Sequence, residues 1–106
     1  MSTIIRVTRR DMHLAVRDRV DFKYNESAHG TWTSTIPMSG WMGYDTREDM
    51  GRHCAASVGR IFVVYSYDTP IGIWTESDGW WINPEKYSNT TTRHQGMMHR
   101  GIDGTW

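Results

Sequence analysis

The sequence predicts an α+β fold: a single small domain, residues 1–106, in which an antiparallel β-meander of four to five strands packs with two or three short helices. Three observations carry this expectation. Ile61, Val63, Tyr65 and Tyr67 alternate with Phe62, Val64 and Ser66, so both faces of one strand are apolar and both should be covered. The turn signals Asp68-Thr69-Pro70 and Ser77-Asp78-Gly79 follow it at hairpin spacing. Polar, cap-like residues precede stripes of apolar residues at helical spacing on either side of this block.

The elements can be justified in chain order. Ile4, Ile5 and Val7 form a short apolar opening suited to an edge strand. Thr8 and Asp11 are spaced as a loose capping box ahead of Met12, Ala15, Val16 and Arg19, which predicts a helix over about 9–18. Val20, Phe22 and Tyr24 alternate with polar residues as in a half-buried strand. Trp32, Ser34 and Ile36 share one face of a further strand over 31–36. Gly40 and Gly43 then break a loop rich in Met38, Trp41, Met42 and Tyr44, which reads as a mobile cover or a contact surface. Asp45 or Thr46 can cap a helix reaching about Ser57, with Met50, Cys54 and Val58 on its apolar stripe and Gly59 at its end. Ile71–Thr75 and Trp80–Ile82 complete the meander, and the adjacent Trp80 and Trp81 must point to opposite faces. Thr92 with Gln95 predicts a capped helix over about 92–100, stopped by Gly101 and Gly104, with Trp106 as a terminal anchor.

Composition narrows the functions. Twelve basic and twelve acidic residues give zero formal charge, which disfavours nonspecific duplex binding and is compatible with a homo-oligomer. Two local basic groups stand out nonetheless: Arg6, Arg9 and Arg10, and then Arg93, His94, His99 and Arg100. Six Trp and five Tyr exceed what so small a core can hide, so some of these rings should line a groove or an interface. Cys54 is the sole cysteine, which fits a reducing compartment. Neither a signal peptide nor a run of ~20 apolar residues is visible, so a cytoplasmic location without membrane insertion is expected.

The chemistry concentrates between Lys86 and Gln95. A helix start carrying Ser88, Thr90, Thr91, Thr92, Arg93 and His94 offers backbone N–H groups, hydroxyls and a cation to an anion such as a phosphate. The same residues also read as a plain helix cap, with Tyr87 and His94 anchoring the helix to the sheet. Tyr65, Tyr67, Trp74, Trp80 and Trp81 can stack bases, or can pair across strands. Asp49, His53 and Cys54 are too few, and wrongly spaced, for a zinc site. No phosphate loop, nucleophile elbow or paired carboxylate is present, so neither an enzyme nor a cofactor or metal is expected.

The segments Ser66-Tyr67-Asp68-Thr69-Pro70-Ile71 and Tyr87-Ser88-Asn89-Thr90-Thr91-Thr92-Arg93-His94-Gln95, with Trp80 or Trp81 between them, resemble a family of small proteins encoded mainly by bacteriophages and mobile elements. A looser likeness includes Phe22 and Gly30, whereas residues 31–58 depart from that pattern. The resemblance carries no activity. It implies a phage-type origin and a role in host takeover or counter-defence, in the cytoplasm of the host cell.

These readings lead to a non-enzymatic binding protein for a phosphate-bearing ligand, either a nucleotide signal or single-stranded nucleic acid. The expected ligand site comprises Tyr65, Tyr67, Thr69, Tyr87, Ser88, Thr90, Thr91, Thr92, Arg93, His94 and Gln95. The alternative is an inhibitor that binds a host protein through Trp32, Trp41, Met42 and Tyr44. A virion or assembly component is the third reading.

Overall fold

The computed structural model describes residues 4–57 and 59–103. Six strands form one sheet in chain order: β1 (Ile5–Arg6), β2 (Phe22–Tyr24), β3 (Ala28–Thr33), β4 (Ile61–Ser66), β5 (Thr69–Thr75) and β6 (Gly79–Ile82). Three helices complete the fold: α1 (Met12–Asp18), α2 (Tyr44–Ala55) and α3 (Asn89–Asp103). The α+β class and the β3–β6 meander agree with expectation. The sheet has six strands rather than four or five, and it is mixed, because β1 pairs parallel to β2 while all other pairs are antiparallel. A parallel pair needs a crossover, and α1 supplies it. No helix among the described residues is long and apolar enough to cross a membrane.

β4 shows why its sequence is apolar throughout. Phe62 and Val64 enter a core with Met12, Val16, Phe22, Ile71 and Met98 beneath α1 and α3. Ile61 and Val63 enter a second core with Met42, Met50, Cys54 and Ile73 beneath α2. The sheet is therefore sandwiched, and this accounts for the aromatic content: Trp80 packs on the first core and Trp81 on the second. A bulge sits opposite Val64 and Tyr65 in the β4–β5 pair, where Gly72 and Pro70 are the register partners and Ile71 is the extra residue. Ile71 thereby reaches the first core. Its neighbour Gly72 turns the same way, and a Cβ there would overlap Met98 Sδ.

The other departures have local causes. β3 starts at Ala28, ahead of 31, because its pairing with β4 runs from Ala28↔Ser66 to Thr33↔Ile61; Ser34–Ile36 lie beyond the partner. α1 starts at Met12 rather than about residue 9, since the Thr8 hydroxyl donates to the Asp11 carboxylate (3.1 Å) instead of closing a capping box. α2 starts at Tyr44 with Gly43 at its N-cap and no side-chain cap, and the Gly43 N–H donates to Glu85 Oε2 (2.7 Å). The loop before it is pinned rather than a mobile cover. Ser39 donates to the Asp68 carbonyl, Arg47 to the Gly40 carbonyl and Tyr87 to the Trp41 carbonyl. α3 starts at Asn89, not 92, and continues through Gly101. Ser88 is its cap: its Oγ accepts from Thr91 N–H (3.3 Å) and its carbonyl from Thr92 N–H (2.9 Å). Gln95 therefore closes no capping box with Thr92; its amide donates to the Asn83 and Glu85 carbonyls. Val58, Gly104 and Trp106 lie outside the described residues.

Gly101 is in the helix because α1 and α3 touch there. A Cβ would overlap the His13 carbonyl oxygen and crowd Val16. That oxygen belongs to the backbone and cannot rotate away. Gly101→Ala should lower the melting temperature, although alanine favours a helix interior by about 1 kcal/mol over glycine; a rise in a thermal melt would mean that the two helices separate freely.

Candidate functional site

The first turn of α3 divides the expected ligand residues by the direction each one faces. Thr91 and His94 are buried, whereas Thr92 and Arg93 are exposed. Two positions three apart face inward together, and the residues between them face out. Inward, His94 uses both ring nitrogens: Nδ1 lies 2.7 Å from Ser66 Oγ and Nε2 lies 3.2 Å from Ser27 Oγ. Ser66 donates in turn to Thr91 Oγ1 (2.9 Å), which also accepts from Ser88 (3.3 Å). The network ties α3 to the β2–β3 turn and to the end of β4. Burial, reinforced by the neighbouring Arg93, pushes the His94 pKa below its ordinary value, which disfavours the charged ring. Among the described residues both ring nitrogens face serine hydroxyls, and neither has a carboxylate partner.

Other expected ligand residues are also engaged internally. Tyr87 donates to the Trp41 carbonyl and accepts from Asn83 Nδ2 (3.0 Å), and burial raises its pKa. Tyr65 is on the α2 side of the sheet, stacked on His29 with ring centroids 4.6 Å apart. It is thus on the opposite face from Arg93. Thr69 pairs with Ser66 in the β4–β5 ladder, and its Cα lies against Gly40. The groups that remain open on the α3 side are Tyr67, Thr90, Thr92 and Arg93.

The fold adds something the linear order conceals. α1 and α3 pack side by side, so Arg9 and Arg10 before α1 meet Arg93 and Arg100 on α3. Arg9, Arg93 and Arg100 line one depression of about 250 Å³, and Arg9, Arg10 and Arg100 line a wider one of about 710 Å³ beside it. One carboxylate, Asp11, lines the pair, already holding the Thr8 hydroxyl. All four guanidinium groups are exposed, and none has an ion pair within 4.0 Å among the described residues. Most arginines elsewhere are engaged: Arg17 by Asp18, Arg52 by Glu48 and Asp49, Arg47 by the Gly40 carbonyl, and Arg19 and Arg60 over the rings of Trp74 and Trp32, whereas Arg6 on β1 is exposed and has no ion pair among the described residues. Both basic groups were visible in the sequence; their convergence was not.

The match to a protein-family model decides the relationship. It runs over residues 16–104, under the description "Family of unknown function (DUF8033)". The chain belongs to the DUF8033 family. No curated protein and no solved structure matches it. The family match takes in all of β2–β6, α2 and α3, and thus Arg93 and Arg100, but it begins after Arg9 and Arg10. Half of the arginine cluster therefore lies outside the matched segment.

The residues expected to meet a partner protein are split in the same manner. Trp32 packs on the first core with its Nε1 donating to the Arg19 carbonyl (2.8 Å), and Met42 is buried under α2. Trp41 and Tyr44 point outward at 69% and 78% exposure, together with Met38 at 76%. His53 bonds the Gly79 carbonyl (3.0 Å), Cys54 is buried with its thiol pKa raised by burial, and no cluster among the described residues could hold a metal ion.

Proposed function

We propose that this protein is a non-enzymatic binding protein for a phosphate-bearing ligand, a nucleotide or a single strand of nucleic acid, held along Arg9, Arg10, Arg93 and Arg100. The observation that carries the reading is the convergence of four exposed guanidinium groups on one surface of a chain with no net charge. Guanidinium groups bind phosphate through two parallel N–H donors, and local density of cations, not total charge, sets the attraction. The test is fluorescence anisotropy with a labelled single strand at low salt. Binding that weakens with salt and with the double variant Arg93→Gln/Arg100→Gln supports the reading; no binding of any strand or nucleotide retires it. The likeness of Ser66–Ile71 and Tyr87–Gln95 to bacteriophage proteins supports a role in host takeover or counter-defence inside the host cell.

A second reading has its own support. Met38 and Trp41 on one pinned loop and Tyr44 at the start of α2 expose three large side chains close together in sequence, which suits a hot spot for a host protein. Trp41→Ala should abolish recovery of that partner from host lysate without lowering the melting temperature. Equal recovery by both forms counts against the loop.

A further inference from the structure

We infer that the cleft at the β2–β3 turn receives one unstacked nucleobase while Arg93 grips the phosphate joined to it, so that the ligand is a single strand running on into the arginine groove. This rests on the phosphate-binding reading above and makes it specific. The cleft holds about 360 Å³, within the range of small-ligand sites, and Tyr24, Tyr67, Thr90 and Arg93 line it above the buried His94. Arg93 lines both this cleft and the depression shared with Arg9 and Arg100. It is the bridge between an aromatic hollow and a row of cations.

Charge decides which end of a nucleotide enters. Glu26 lines the cleft, its carboxylate 3.5 Å from Lys23 Nζ and its side chain 85% exposed. A phosphate inside the cleft would meet that carboxylate, whereas the amino or imino edge of a base can donate to it. The phosphate belongs at the Arg93 rim and the base within. Beyond the rim, Arg93 and Arg100 are two helical turns apart, ~10 Å along the axis, which suits successive phosphates better than one.

The backbone points to the same place. Arg19, Asn25 and Tyr67 are the non-glycine residues with positive φ among those described, and Asn25 (φ 50°) and Tyr67 (φ 54°) both line this cleft. Asparagine suits that conformation, but tyrosine does not, and a tight turn there favours Gly, Asn or Asp. Tyr67 is nonetheless held in it, with its N–H donating to the Ser27 carbonyl (2.6 Å) and its ring half-exposed. Its ring adds little to the core, and a rigid, exposed ring beside a cation is a stacking platform.

The test compares three labelled probes of about 12 nucleotides, a single strand, an abasic strand of equal length and a duplex, on the wild type and on Tyr67→Asn. Asparagine keeps the turn, so the variant should melt at or above the wild-type temperature. The wild type should bind the base-bearing strand about 5- to 100-fold more tightly than the abasic strand or the duplex. Tyr67→Asn should erase that preference and leave abasic affinity unchanged. Equal binding of the base-bearing and abasic strands by the wild type, or a preference that survives Tyr67→Asn, overturns the inference while leaving the arginine groove standing. Failure of all three probes to bind removes the groove and the cleft together.

Discussion

His94→Ala is expected to lose about 3–5 kcal/mol of folding free energy, a large share of what a domain of this size has. Two terms add. Removing a ring that is 1% exposed leaves a cavity beneath Tyr24 and Tyr67. It also takes from Ser66 and Ser27 one of the two hydrogen bonds each makes, and a lost bond in the buried Ser66–Thr91 network costs about 1 kcal/mol. A thermal melt followed by circular dichroism should fall by roughly 10–20 °C. A fall of only a degree or two would mean that α3 is held by its apolar contacts alone. The same histidine gives stability a pH dependence of known sign. Its folded pKa lies below the ordinary value of 6.5, so the unfolded chain takes up protons first as the solution is acidified. The stabilisation from the neutral ring is complete above that value and is lost as pH falls below it. His29, also shifted down by burial, contributes in the same direction. Chemical denaturation at pH 7.5 and 5.5 should show the loss, and His94→Gln should reduce its slope.

The second large effect concerns ligand affinity with stability unchanged. Arg93→Gln/Arg100→Gln should weaken binding of a single strand by about 10- to 100-fold at low salt. The dependence of log K on log salt should become shallower by about 1.4, because each cation on a single strand contributes about 0.7. Both side chains are exposed and unpaired among the described residues, so the melting temperature should stay within a degree or two. Arg52→Gln is the control. It removes an arginine from α2, whose core lies on the other face, where Glu48 and Asp49 already neutralise it. If Arg52→Gln flattens the salt dependence as much as the groove variant does, the attraction is diffuse and no groove exists.

The fold was largely legible because period-2 patterning is a strong signal. β4 is apolar on both sets, and it is the strand covered on both faces. Turn chemistry placed β5 and β6 to within two residues. The errors fell where side chains compete for caps. Ser88 and Thr92 both precede helical residues, and choosing between them needs the inward position of Thr91, which its long-range contact with Ser66 helps to fix. The site was less legible than the fold. A row of Thr, Arg and His looks like one constellation on paper, yet the helix sends Thr91 and His94 inward and Thr92 and Arg93 outward. Periodicity with Asn89 as the start would have predicted that division. Nothing in the linear order pairs Arg9 with Arg93; that pairing is a product of the crossover through α1.

Under the proposed phosphate-binding reading, Gly101 bears on recognition as well as on packing. The gap between the two rows of arginines is set by how near α1 comes to α3, and that approach is permitted by one absent methyl group over the His13 carbonyl. On that reading, a residue outside the arginine cluster acts as the spacer between its two rows. Relatives with a bulkier side chain at this point would hold their charges farther apart and select a thicker or differently pitched polyanion, with every arginine retained.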